Sequence, residues 1–123
     1  MVGPRTMETH IVKTINDAAQ AAGKPAAMIV GNFPVVLTND VDNAKSKLSE
    51  MLSVYGELPS YRAMLDREGY ERPEDAALVG DEKTIRASLD RLRDAGVTDF
   101  GAAIMNVEDG GFDRTFEFLA SLN

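Results

Sequence analysis

Ala27-Met28-Ile29-Val30-Gly31-Asn32-Phe33-Pro34-Val35-Val36-Leu37-Thr38 is the stretch on which the fold turns. Its run of β-branched and apolar residues is that of a strand apolar on both faces, the mark of a buried parallel sheet. Gly31 and Pro34 interrupt the run, which calls for a bend or bulge there. Upstream, Pro4 to Ala22 predicts a helix. Proline suits a first helical position, and Met7, Ile11, Ile15, Ala18 and Ala22 recur at helical spacing as one apolar stripe. Gly23 supplies a left-handed stop, and Pro25 lies where a helix cannot continue.

Downstream, Asn39 or Asp40 caps a helix reaching about Tyr55, with Ala44, Leu48, Met51, Leu52 and Tyr55 on its core face. Pro59 to Glu68 predicts a short helix that turns Tyr61, Met64 and Leu65 inward and stops at Gly69. Glu71 to Asp75 is a polar connector, and Ala76 to Val79 is too short to assign. Asp81 caps a helix with Ile85, Leu89 and Leu92 inward and Gly96 as its stop. Val97 to Met105 is a second strand. Asn106 to Gly111 is a loop, and Asp113 caps a last helix carrying Phe116, Leu119 and Leu122. Strands separated by long helical crossovers pair parallel. The expected class is therefore α/β, with about two parallel strands and several helices in one unit over residues 1–123. Two such strands leave both outer edges unpaired, so the pattern reads as part of a larger α/β body. Self-association that covers the open edges is a second expectation.

Composition removes several function classes. The 123 residues carry a formal charge of −7, which repels phosphate and excludes a nucleic-acid partner. Arg86, Arg91 and Arg93 are interleaved with Asp90 and Asp94, as on a solvated helix face. There are no cysteines and a single histidine, His10, so thiolate chemistry is excluded, and a histidine metal site or a Ser-His-Asp triad is unsupported. No metal is expected. No signal pattern and no membrane-length apolar run are present, and a cytoplasmic location without a membrane partner follows as an expectation.

Several stretches carry a resemblance. They are Val2-Gly3-Pro4-Arg5-Thr6, Thr38-Asn39-Asp40-Val41-Asp42-Asn43-Ala44, Val54-Tyr55-Gly56-Glu57-Leu58-Pro59-Ser60-Tyr61-Arg62-Ala63-Met64-Leu65-Asp66-Arg67-Glu68-Gly69, Leu78-Val79-Gly80-Asp81-Glu82 and Asp94-Ala95-Gly96-Val97-Thr98-Asp99-Phe100. Together they resemble the C-terminal part of the luciferase-like monooxygenase superfamily, in particular its deazaflavin-dependent oxidoreductases. The resemblance implies the C-terminal portion of a (β/α)₈ TIM barrel, with Ala27–Thr38 as the seventh strand and Val97–Met105 as the eighth. It also implies hydride transfer between coenzyme F420, or alternatively FMN, and a small organic substrate in the full-length enzyme. In that family the cofactor ring and the catalytic acids or bases are held mainly by earlier strands. No catalytic residue is therefore assigned, and the isolated chain is expected to be inactive. The alternative is a non-catalytic α/β interaction module.

Three residues are candidates for cofactor binding. Gly3 and Arg5 stand at a helix start, where free N–H groups, the helix dipole and a guanidinium can hold a phosphate. The alternative, an ordinary proline-started helix with a surface arginine, is the simpler account of them. Asn106 ends the last strand on the barrel rim and offers both a donor and an acceptor, or simply forms a turn. The Asp109-Gly110-Gly111-Phe112-Asp113 loop allows close backbone approach, but Glu108, Asp109 and Asp113 oppose an anion. His10 reads as structural, Tyr55, Tyr61 and Met64 as core, and Asp40 and Asp42 as charges at a helix start.

Overall fold

The computed structural model describes residues 2–123. The chain opens with α1 (Pro4–Thr6), which runs through a π-helical turn, Met7–Val12, into α2 (Lys13–Ala21). Gly23 closes it in the left-handed conformation, φ 66°. Then follow β1 (Val30–Leu37), α3 (Val41–Leu52), α4 (Pro59–Glu68), β2 (Leu78–Gly80), α5 (Glu82–Asp94), β3 (Asp99–Ile104) and α6 (Gly111–Ala120), with 3₁₀ turns at Ser53–Gly56 and Pro73–Ala76. Asp40 and Asp81 cap α3 and α5, each accepting from the backbone N–H three residues on. α4 ends on Gly69 at φ 79°.

The sheet is parallel and three-stranded, in the order β2-β1-β3. Two strands were expected, and the stretch left unassigned supplies the third: β2 pairs Leu78, Val79 and Gly80 with Val35, Val36 and Leu37. Three residues are too few for a periodic pattern to declare a strand. On the other side, β3 runs beside β1 from Val30↔Asp99 to Val35↔Ile104. The expected α/β class and the parallel pairing of the two longer strands are both present.

The chain steps from β1 to one neighbour and then back across it to the other. Right-handed crossovers in opposite directions put their helices on opposite faces, and the core divides accordingly. Phe33, Val35 and Leu37 pack with Ile85 and Leu92 of α5, Phe118 of α6 and Met7. Val36 points the other way, to Ala44, Leu48 and Leu52 of α3 and to Val107.

Cover is incomplete. Phe33 to Leu37 is buried, but Val30 is 51% exposed, and Asn32 beside it on the same face is also exposed. The strand is therefore buried on both faces only in its carboxyl half, because α3 covers that half alone. α2 buries none of its residues, so the expected stripe through Ile15 and Ala18 faces outward. Met51 and Val54 are exposed as well. The last helix corrects the expectation twice. Its cap is Gly110, at φ 71°, and Asp113 lies inside its first turn. Its inward face carries Gly111, Thr115 and Phe118, whereas Phe116 is 57% exposed. A start three residues earlier changes the face presented to the sheet. Among the described residues, no helix is long and apolar enough to cross a membrane.

Candidate functional site

In an open parallel sheet, ligands gather outside the carboxyl ends of the strands where the strand order reverses. Here that place lies between β1 and β3. A cavity of about 440 Å³ is found there, lined by Leu37 to Asp40 after β1, Asp81 and Glu82 after β2, and Glu108 and Arg114 beyond β3. Each wall is fixed by a local device. Thr38 is buried, and its Oγ1 accepts from Asp40 N at 3.0 Å. Asp40 Oδ1 accepts from Asn43 N at 3.1 Å, and Asp81 Oδ1 from Thr84 N at 2.8 Å. The hydrogen bond from the Thr84 N–H, with further help from the Thr84 hydroxyl and Lys83, holds the Asp81 carboxyl below its ordinary value.

The far wall hangs on α6. Arg114 ion-pairs with Glu108, and its Nε and Nη2 both donate to Leu37 O at 3.4 Å. Next to it, Thr115 Oγ1 accepts from Leu37 N at 3.1 Å and donates to Gly111 O at 2.8 Å. Both backbone groups of the last β1 residue are thus satisfied from one helix turn. The crevice lining holds four carboxylates and one guanidinium, already paired. Its field favours amines and hydroxyls over phosphate.

No family model, no curated protein and no solved structure matches this chain.

The three residues singled out for cofactor binding do not meet in one site. Asn106 is exposed in the loop after β3, close to Gly111, so it does lie on the carboxyl side of the sheet. Gly3 and Arg5 lie against α4, where the Glu68 carboxylate accepts from Arg5 N at 3.2 Å and from Thr6 N at 2.5 Å. A side chain at position 3 would meet that carboxylate, and Glu68 would have to move. The helix start does attract an anion, as its dipole requires, and the anion is part of the chain. F420 and FMN both carry phosphate. The residues present do not fit one: the helix-start amides are taken, and Asn106 stands beside Glu108 and Asp109.

Among the described residues, no cluster of three or more His, Cys, Asp or Glu side chains is placed to hold a metal ion. His10 is exposed on the π-helical turn. Tyr55 and Tyr61 make an edge-to-face pair at 4.9 Å, while Met64 is buried. The Tyr70 hydroxyl titrates above its ordinary value, mainly through burial and then the nearby Glu68 charge. Sequence reading missed Glu68, Arg114 and Thr115. Polar residues on helices usually face solvent, and nothing local marks the ones that reach 62 to 78 positions back along the chain.

Proposed function

We propose that this chain works as the carboxy-terminal part of a luciferase-like oxidoreductase. In the complete enzyme, hydride passes between F420 or FMN and a small organic substrate. The observation that supports this reading is the unfinished sheet. β2 and β3 are both edges, the amino half of β1 has a partner on one side only, and Val30 and Met28 are exposed. Backbone groups and apolar surface of this kind are normally covered by further strands and helices. On this reading the cofactor phosphate is held by other strands, and the acid-lined crevice faces the substrate. Catalysis needs both partners in near-attack geometry, so the chain alone gives no turnover.

A second reading rests on a specific observation. All crossovers of a (β/α)₈ barrel lie outside it, whereas α3 and α5 flank this sheet on opposite faces. That arrangement, with the order β2-β1-β3, suits an open doubly wound sheet rather than a barrel segment, and so supports the alternative of a separate α/β interaction module. Titration of the chain with F420 and FMN, followed by fluorescence and by hydride-transfer assays, tests the first reading. No turnover with either cofactor is expected. Hydride transfer by the chain alone overturns the incomplete-enzyme reading. Micromolar cofactor binding unaffected by Arg5→Ala would remove any role for the helix start.

A further inference from the structure

Among the described residues, no strand pairs with the outer edge of β3. Asp99 N and Met105 N donate to Ile29 O and Val35 O, so the odd-numbered residues of β3 turn their backbone groups to β1. By the two-residue period of a strand, Phe100, Ala102 and Ile104 send theirs to the open edge. Such an edge is normally blunted by a lysine, a proline, a bulge or a covering element. Phe100 to Ile104 carries neither charge nor proline, and its ladder with β1 runs from Val30 to Val35 without a bulge. Beside the edge lies an open groove of about 800 Å³. Phe100, Ala102 and Ile104 line it from the strand, and Leu89, Phe116 and Leu119 from the helices. Ala102 and Phe116 are exposed.

We propose that this edge pairs with the same edge of a second copy, antiparallel about a two-fold axis that passes between the two Ala102 residues. Phe100 then lies opposite Ile104 of the second copy, and Ala102 opposite Ala102. Each of these hydrogen-bonded pairs exchanges two N–H···O bonds, and all the free backbone groups of β3 are used. Centring the axis on Phe100 or Ile104 would leave part of them unpaired. The axis stands perpendicular to the sheet, so the two grooves join on one face, with Phe116 and Leu119 of both copies lining them. The chain carries a charge of −7, and an uncharged strip is where two copies repel least. Six residues make an edge about 20 Å long, and the sheet with one helix layer stands roughly 20 Å high. The contact covers about 400 Å² per copy in flat projection, and side-chain relief brings the pair near the ~1,200 Å² at which stable interfaces begin. A dissociation constant in the micromolar range is expected. The inference does not rest on the oxidoreductase reading.

The chain has no cysteine, so a single introduced one reports the register. In this arrangement the two Cα atoms of residue 102 stand about 5.5 Å apart, within disulfide reach, whereas those of residue 103 stand about 8 Å apart, beyond it. On air oxidation, Ala102→Cys is expected to form a disulfide dimer at least about tenfold faster than Ala103→Cys, although both positions are exposed. Sedimentation equilibrium of the parent chain should show a dimer weakened at least about tenfold by Phe116→Asp. Met51→Asp, which places the same charge at an exposed apolar residue of α3, should leave it unchanged. If a variant does not fold, the parent decides: amide exchange should slow at Phe100, Ala102 and Ile104 as concentration rises. Equal cross-linking at positions 102 and 103, or protection gained elsewhere instead, overturns the proposal. So does a chain that stays monomeric at millimolar concentration, whether or not its edge takes up an unrelated peptide strand.

Discussion

Thr115 fastens the last helix to the sheet, and its removal tests how the crevice is held. The side chain is 0% exposed and bridges Leu37 N, at 3.1 Å, and Gly111 O, at 2.8 Å. Leu37 N lies past the end of β3, so no strand can satisfy it. Thr115→Val keeps the shape and removes the acceptor. Orphaning a buried N–H costs about 1–3 kcal/mol. Burying a methyl where the hydroxyl stood returns up to about 0.8 kcal/mol. A net loss of about 1–2 kcal/mol follows, or roughly 4–10 °C in Tm for a chain of this length. Thermal unfolding followed by circular dichroism measures it. Amide hydrogen exchange locates it: Leu37 N–H should lose protection in Thr115→Val and keep it in Thr115→Ser, which retains the oxygen. A Thr115→Val protein as stable as the parent, with Leu37 still protected, would refute the claim that this bond holds β1 to α6.

Two further outcomes follow from the same structure. The Asp81 carboxyl titrates below its usual value in the folded chain, so its contribution is present above the unfolded value and is lost as pH falls through the folded one. Tm measured from about pH 5 down to pH 2 should fall less steeply in Asp81→Asn, which still caps the helix, and an unchanged slope would discard the linkage. The outer edge of β3 is open, so concentration-dependent association is expected in sedimentation velocity. Ala102→Lys, a residue type that blocks edge pairing, should abolish it, and undiminished association would place the contact elsewhere.

The local grammar of the chain was legible wherever one residue type does one job. Asp81, and either Asn39 or Asp40, are expected as caps, and Asp40 and Asp81 are the caps; Gly23 is expected as a left-handed stop and Gly69 as a stop, and both have positive φ. The segments Ala27–Thr38 and Val97–Met105 do pair in parallel. Errors cluster where a tertiary choice overrides local pattern. Asp113 is as good a cap as Asp81 by type, yet glycine at position 110 starts α6 sooner and moves Phe116 out and Phe118 in. β2 exists because the carboxyl end of β1 offers it a free edge, which no three-residue window can reveal.

The candidate site was legible only in its acids, and it is the acids that mislead. Asp40 and Asp81 are accounted for by their helices, each carboxylate turned to a backbone N–H of the next turn. They would stand at these strand ends in a protein that bound nothing. Glu68 repeats the point at α1: a helix start that looks open to phosphate is closed by a carboxylate from another helix. Glu74 and Asp75 have the same explanation, in the first turn of the 3₁₀ segment Pro73–Ala76. The Asp75 carboxylate accepts from Arg72 N at 3.1 Å, and Glu74 has Arg72 Nη1 at 3.8 Å. Once every acid of a helix start is subtracted, Asp42 included, the outer side of α3 keeps Glu50 and Glu71 against Lys45 and Arg72, and the strand ends keep Glu108 against Arg114, so neither surface holds an anionic excess of its own.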